Sequence, residues 1–191
     1  MPSDIKHKVI TPLFRVGFPR VFKARAVNEG GEEKFSIECL FASDADLKPL
    51  KQAAAAAARE KWGDNIPKNL RSPFKDSGEK SDLDGFEEGC VHISPKSKYK
   101  PGLVDANMEP IIVDTEFYGG CYARASVNAY AYTHPQGGPG VSFGLLNVQK
   151  IDDGEPFSSR SNPEDDFDAI PQPPEDGAAA PPADEDDALF D

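Results

Sequence analysis

Residues 118–132, "YGGCYARASVNAYAY", carry the densest chemistry in the chain. Period-two alternation sets Tyr122, Arg124, Ser126, Asn128, Tyr130 and Tyr132 on one side of a strand, and Cys121, Ala123, Ala125, Val127, Ala129 and Ala131 on the other. The small apolar side suits the tight interior of a barrel. The other side offers rings and a cation, the combination that unpaired nucleobases and their phosphates require. Stacking on an aromatic is worth roughly 1–3 kcal/mol per base, and cations meet the backbone. This strand alone equally allows tyrosines packed beneath a helix or loop with their hydroxyls at the rim.

Two further clusters repeat the pattern. "SPKSKYKPG", residues 94–102, sets Lys96, Lys98, Tyr99 and Lys100 in a Pro-bounded loop. "KNLRSPFK", residues 68–75, adds Lys68, Arg71, Phe74 and Lys75. Either could be a solvated loop tip. The first 28 residues hold Lys6, Lys8, Arg15, Arg20, Lys23 and Arg25 against the single acid Asp4. The candidate contacts to single-stranded nucleic acid are therefore Tyr99, Tyr122, Tyr130 and Tyr132 for bases, with Arg15, Arg20, Lys23, Arg71, Lys96, Lys98, Lys100 and Arg124 for phosphates. Their modest summed charge predicts salt-sensitive binding of moderate strength. A weaker duplex-binding mode stays open.

Other constellations point to less. Asp114 and Glu116 space two carboxylates on one face of an expected strand, as a metal-dependent nuclease needs, but further acids would have to converge on them. Cys90 and His92, with His7 and His134, lack the spacing of a zinc site. "HPQGGPG", residues 134–140, has no following Lys-Ser/Thr and precedes a strand, so it reads as a hairpin connection rather than a phosphate loop. Ser126 and Ser142 have no evident His–Asp companions. The sequence therefore predicts a binding protein rather than an enzyme, with neither metal nor cofactor.

Secondary structure must position these groups, and strand signals dominate. "PLFRVGFPRVF" alternates, with Phe14, Val16 and Phe18 on one face, and Pro19 is expected to bend or end the strand. "KFSIECLF" groups Phe35, Ile37, Cys39 and Phe41 after a "NEGGEE" hairpin loop. One helix follows. Ser43, Asp44 and Asp46 are able caps, and Leu47, Leu50, Ala54, Ala57 and either Lys61 or Trp62 form its apolar stripe. Gly63 stops it. Residues 64–87 read as a long polar loop. Strands are expected at 89–94, 110–114, 118–132 and 141–150. The fold class is mainly β: a closed or partly open barrel of about five strands with one main helix and long loops.

Charge divides the chain. Of the net −12, residues 151–191 contribute −13, with 14 acids against Arg160, so the body is near neutral. The expected organisation is a binding domain at 1–151 and a disordered acidic tail at 152–191, too poor in apolar residues to offset the entropy of ordering. That tail finishes in "DEDDALFD". Its charge can compete with DNA for the basic groove. Leu189 and Phe190, set among Asp186, Asp187 and Asp191, can enter an apolar pocket on a partner. An alternative makes the tail a DNA mimic that occupies other proteins' basic clefts. Three cysteines form no disulfide framework, and neither a signal peptide nor a membrane span is evident, which predicts a cytoplasmic protein.

In order along residues 9–157, "FPRVF", "KWGD", "NLRS", "KYKPGLVD", "YGGCYARASVNAYAY" and "GVSFGLLNVQKIDDGEPF" resemble the phage-encoded single-stranded DNA-binding proteins. The resemblance implies an OB-fold body, sequence-tolerant binding of single-stranded DNA, a role in phage replication or recombination within the host cytoplasm, and a tail that recruits replication or recombination proteins. It assigns no contact residue. The chain departs from the family at "RSPFKDSGEK", where family members often carry a charged run with an Arg-Asp-Gly stretch.

Overall fold

A computed structural model describes residues 5–26 and 29–157. The elements are β1 (Lys8–Ile10), β2 (Phe14–Ala26), β3 (Glu33–Phe41), α1 (Lys48–Trp62), β4 (Lys75–Asp76), β5 (Val91–Ile93), β6 (Lys96–Ser97), β7 (Gly102–Val104), β8 (Tyr122–His134) and β9 (Gly138–Asp152). β8 pairs with β2, β2 with β3, β3 with β6, β6 with β9, and β9 returns to β8. Five strands thus close into an OB-like ring in which the β6–β9 pairing is parallel, as at Lys96↔Gly144.

Alternation along each strand fills the interior. Phe14, Val16 and Val21 of β2, Ile37, Cys39 and Phe41 of β3, and Val141, Phe143, Leu145 and Val148 of β9 are buried. Cys121 and the β8 residues Ala123, Ala125, Val127 and Ala129 bring small side chains to the same core, as the alternation in that stretch requires. Register shifts break the period at four places. Between Gly17 and Arg20 the β2–β3 register shifts, Phe18 adopts φ 41°, and its ring turns outward to 50% exposure against Phe86. The expected inward Phe18 is therefore corrected. Pro19 does not end the strand either, because the irregularity absorbs its missing donor and β2 runs on to Ala26. The other shifts lie between Arg20 and Arg25 in the β2–β3 pair and, in the β8–β9 pair, between Tyr122 and Ala123 and between Ser126 and Val127.

The helix buries Leu50, Ala54, Ala57 and Ala58 and packs against β8 and β1. Its alanines let the backbone approach the sheet. Pro49 occupies the first turn, where its missing N–H costs nothing. Leu47 takes the cap position without a side-chain bond, while Asp46 Oδ1 accepts from the Lys48 N–H at 3.0 Å. Gly63 closes the helix at φ 57°. Glu60 binds Lys6 and, at 2.6 Å, His7, which ties the approach to β1 onto the helix.

Three expectations change. Residues 64–87 are not simply a loop: β4 pairs with β5 at Lys75↔His92, Arg71 bridges Gly140, and Phe74 meets Phe143 edge-on at 5.9 Å. This segment pairs with β5 on one side and bridges to β9 on the other, so Phe74 belongs to the packing. No strand forms at 110–114. The chain instead folds back on β7 through Ile111 N–H to Leu103 O, and Asp114–Glu116 is a 3-10 turn, so those carboxylates do not share a strand face.

The body also extends beyond the expected boundary at 151. The Tyr118 hydroxyl lies 3.1 Å from Asp153 Oδ1 and 3.0 Å from the Gly154 carbonyl, and the Phe157 N–H donates to Gly119 O at 3.0 Å. Gly120, at φ 114°, has no room for a Cβ, which would stand 2.1 Å from the Glu155 carbonyl oxygen. Residues 152–157 are thus packed against the barrel. The remainder of the expected tail, including Asp186, Asp187, Leu189, Phe190 and Asp191, lies outside the described residues.

Candidate nucleic-acid interface

The outward face of β8 is set by its pairing with β9. Arg124 stands beside Gln149, Ser126 beside Asn147, Asn128 beside Gly144, Tyr130 beside Ser142 and Tyr132 beside Gly140. Glycine and serine opposite the rings leave space above β9. Tyr132 uses it: a Cβ on Gly140 would lie 2.5 Å from the Tyr132 hydroxyl oxygen, so the ring crosses the bare glycine. Tyr130, 43% exposed, sits with its ring centroid 6.2 Å from that of Tyr132 and tilted 49° to it.

Cations reach this pair from the neighbouring segment. Arg71 flanks Gly140 through a parallel bridge, with its N–H on Pro139 O at 3.0 Å and its C=O accepting from Val141 N–H at 3.1 Å. Two strands across from β8, Lys96 projects from β6. The residues in register with it form one row around the outside of the barrel: Arg20, Ser36, Lys96, Gly144, Asn128 and Lys8. Short Ser36 and Gly144 flank Lys96. Partial burial, then the nearby positive charges of Lys75, Lys34 and Arg20, depress the Lys96 pKa against the opposing pull of Glu38. Glu38 sits among these four cations and Glu32 pairs with Lys34, which leaves the face net positive and attractive to an anion.

The loop after β6 holds the most exposed ring. Tyr99 is 83% exposed, and its N–H donates to Ser97 Oγ at 3.0 Å. Lys98 reaches back to Glu32 at 2.6 Å, and Lys34 meets the same carboxylate at 3.1 Å. That shared carboxylate raises the Lys98 pKa, chiefly through the hydrogen bond. Lys100 and Lys23 are exposed on the same loop and on β2.

The other sequence candidates lie elsewhere. Tyr122 is eight residues from Tyr130, about 27 Å along a strand, and pairs with Arg15. The Arg15 guanidinium stands 5.5 Å from the Tyr122 ring centroid and 4.4 Å from that of Phe157, and donates to Gly120 O at 3.2 Å and Glu155 O at 2.8 Å. Arg124 donates to Gln149 Oε1 at 2.7 Å. Register thus puts Arg71 beside Gly140 and so beside Tyr132, Arg20 and Lys96 in the row of Gly144 and Asn128, and the loop of Lys98, Tyr99 and Lys100 between the levels of Gly144 and Asn147 on β9, with Arg15, Tyr122 and Arg124 toward the start of β8. Lys34 escaped the sequence reading, although the alternation of β3 places it outward with Ser36 and Glu38. Lys75, expected in a loop, stands on β4.

Beneath the cationic strip, buried His92 shares a 3.1 Å hydrogen bond with Ser77 Oγ through Nδ1, while its Nε2 has no hydrogen-bond partner among the described residues and lies 3.8 Å from Glu38. Among the described residues no group of three or more His, Cys, Asp or Glu is placed to hold a metal, and no helix is long and apolar enough to cross a membrane.

Comparison with known proteins places this architecture. The family model described as the Enterobacter phage Enc34 ssDNA-binding protein matches residues 7–178. The chain belongs to that family. It is 29% identical over 155 residues to protein p50 of Acyrthosiphon pisum secondary endosymbiont phage 1, covering 75% of this chain and 83% of that one. The solved structure of the single-stranded DNA-binding protein from bacteriophage Enc34 in complex with ssDNA superposes with a TM-score of 0.68 at 22% identity, covering 80% of this chain and 90% of that one. That of gp2.5, a single-stranded DNA-binding protein encoded by bacteriophage T7, superposes with a TM-score of 0.53 at 14% identity over 91% and 98% of the two chains. Both likenesses support the OB-like barrel.

Proposed function

We propose that this protein binds single-stranded DNA without strong sequence preference during phage replication or recombination in the host cytoplasm. The observation that carries this reading is the Tyr130–Tyr132 pair above small β9 residues, with Arg71 beside it and the Arg20, Lys34, Lys75, Lys96 strip across β9. Bases stack on Tyr130, Tyr132 and Tyr99, and phosphates follow the cations, with Lys23, Lys98 and Lys100 extending the track. Arg15 and Tyr122 we assign instead to fixing residues 153–157 on the barrel, and Arg124 to the β8–β9 surface beside them. The acidic segment beyond residue 157 competes for the cationic strip at an effective concentration of order millimolar. Its Leu189 and Phe190 recruit partner proteins.

Fluorescent-oligonucleotide titration over a range of salt, single against double strand, tests the reading. Single strand should bind more tightly, with affinity falling as salt rises, and the strand should stay intact in the presence of Mg²⁺. Salt-independent binding, or Mg²⁺-dependent cleavage that depends on Asp114 and Glu116, would overturn it.

A further inference from the structure

Exposed apolar residues lie at opposite edges of one sheet, with basic neighbours at one and acidic neighbours at the other. β1, β8, β9 and β7 lie side by side, in register through Ile10, Ser126, Asn147 and Gly102. β1 and β7 are the two ends of the strand order, separated by three strand spacings, about 14 Å. β1 ends the sheet on one side, while on the other residues 109–111 fold back along β7, through Ile111 N–H to Leu103 O and the Val104–Pro110 bridge, and form the outer rim.

At the β7 edge the chain makes a braced turn. Asp105 N–H donates to Glu109 O at 2.9 Å, and Asp105 Oδ1 accepts from the N–H groups of Asn107 and Glu109. The turn holds Met108 outward at φ 70° and 67% exposure, close in sequence to Ile112, 81% exposed, and Val113. The charged residues within this stretch are all acids: Asp105, Glu109, Asp114 and Glu116. At the β1 edge Ile5, Ile10 and Leu13 are exposed, and the charged residues among them are Lys6 and Lys8. Glu60 engages Lys6, while Lys8 makes no ion pair with a described residue. Each edge thus carries three large exposed apolar side chains, with Ile112 and Val113 adjacent in sequence.

We propose that the acidic apolar edge of one copy, Met108, Ile112, Val113 and Asp114, docks on the basic apolar edge of the next, Ile10, Leu13 and Lys8. The occupant is a second copy because each edge supplies the charge the other lacks, and both also offer apolar surface. The two surfaces differ, so the contact is heterologous. Each association leaves one edge of each kind free, and the copies extend as a row instead of closing into a dimer. The contact does not depend on how DNA is held. Its consequence on DNA, a continuous run of copies along one strand, rests on the function proposed above.

Sedimentation velocity of the full chain tests this, without DNA over rising protein concentration and with thymidine oligonucleotides of about 60 and about 12 nucleotides, lengths for several sites and for one. The wild type should grow past a dimer without DNA and fill the long oligonucleotide in clusters. Ile112→Asp/Val113→Asp and Ile10→Glu/Leu13→Glu should each remain monomeric with unchanged affinity for the short oligonucleotide. An equimolar mixture of the two should stop at dimers, since only one intact pair of edges remains. Exchanging the charges in one chain, Lys8→Asp with Asp114→Lys, should restore growth that either exchange alone abolishes. A monomeric wild type, variants that associate like it, or a mixture that stays monomeric would each overturn the proposal. Failure to bind the short oligonucleotide would count against the DNA-binding reading alone and leave the DNA-free measurement decisive.

Discussion

The guanidinium of Arg15 stands 4.4 Å from the centroid of the Phe157 ring while its N–H groups hold Gly120 O and Glu155 O. One side chain thereby joins the start of β2 to the turn before β8 and to the segment after β9. Two charge-assisted hydrogen bonds and a cation–π contact make Arg15→Ala a loss of about 1–3 kcal/mol in stability, read from denaturant unfolding. Affinity for a short oligonucleotide should stay within about twofold, since one further phosphate contact would be lost only if Arg15 faced DNA. A several-fold loss of affinity with unchanged stability would move Arg15 to the interface.

The Tyr130–Tyr132 pair should behave oppositely. Replacing both with alanine removes two stacking surfaces, each worth about 1–3 kcal/mol if a base rests on it. Tyr130 is partly exposed and the rings lie over β9 rather than in the core, so the fold should survive. Gly140→Ala is a subtler probe, because its Cβ would meet the Tyr132 ring at 2.5–3.0 Å and displace it. Equilibrium titrations should show weaker binding for both variants. Unchanged affinity in the double variant would remove this face from the binding site.

His92 gives the fold a pH dependence. Burial, the largest influence, holds its pKa below the ordinary 6.5, and Lys80 and Lys75 act in the same direction against Glu38 and Glu79. Between the folded-state pKa and 6.5 the unfolded chain binds the proton more readily, so stability is fully present above 6.5 and is lost as pH falls toward the folded value. Thermal unfolding from about pH 7 to about pH 5 should therefore show a steeper loss in the wild type than in His92→Gln, which can keep a partner for Ser77. Parallel pH profiles in the two proteins would show that other groups carry the dependence.

Much of this molecule could be read from alternation. The small side of β8 and the inward Ile37, Cys39 and Phe41 follow from period two, and the helix follows from its alanine run and Gly63. The failures have physical causes. Phe18 carries the inward pattern but sits at a register shift, which reverses a side chain without changing composition. Phe74 and Phe86 lie in a polar stretch and pack on distant partners, Phe143 for the one and Phe18 and His92 for the other, which local patterning does not encode. Tyr122 matched Tyr130 in type and face, and only the packing of Glu155 and Phe157 beside it separates their surroundings. At the root of the tail, acidic composition masked Gly154, Pro156 and Phe157, whose contacts lie with Gly119, Gly120 and Arg15.

That packed root decides where the tail should be cut. Removal of residues 158–191 leaves Asp153, Glu155 and Phe157 in place and strips most of the acidic charge. Removal from residue 152 also takes the Arg15, Gly119 and Tyr118 contacts. Under the competition proposed above, both deletions should tighten binding to a short oligonucleotide at low salt, and the gain should shrink as salt screens the tail from the cationic strip. Only the longer deletion should lower the unfolding midpoint, since it alone removes ordered contacts, Phe157 burial among them. Equal midpoints for the two truncations would show that residues 152–157 contribute nothing to the body. Unchanged affinity at low salt in the shorter truncation would show that the acidic segment does not compete with DNA.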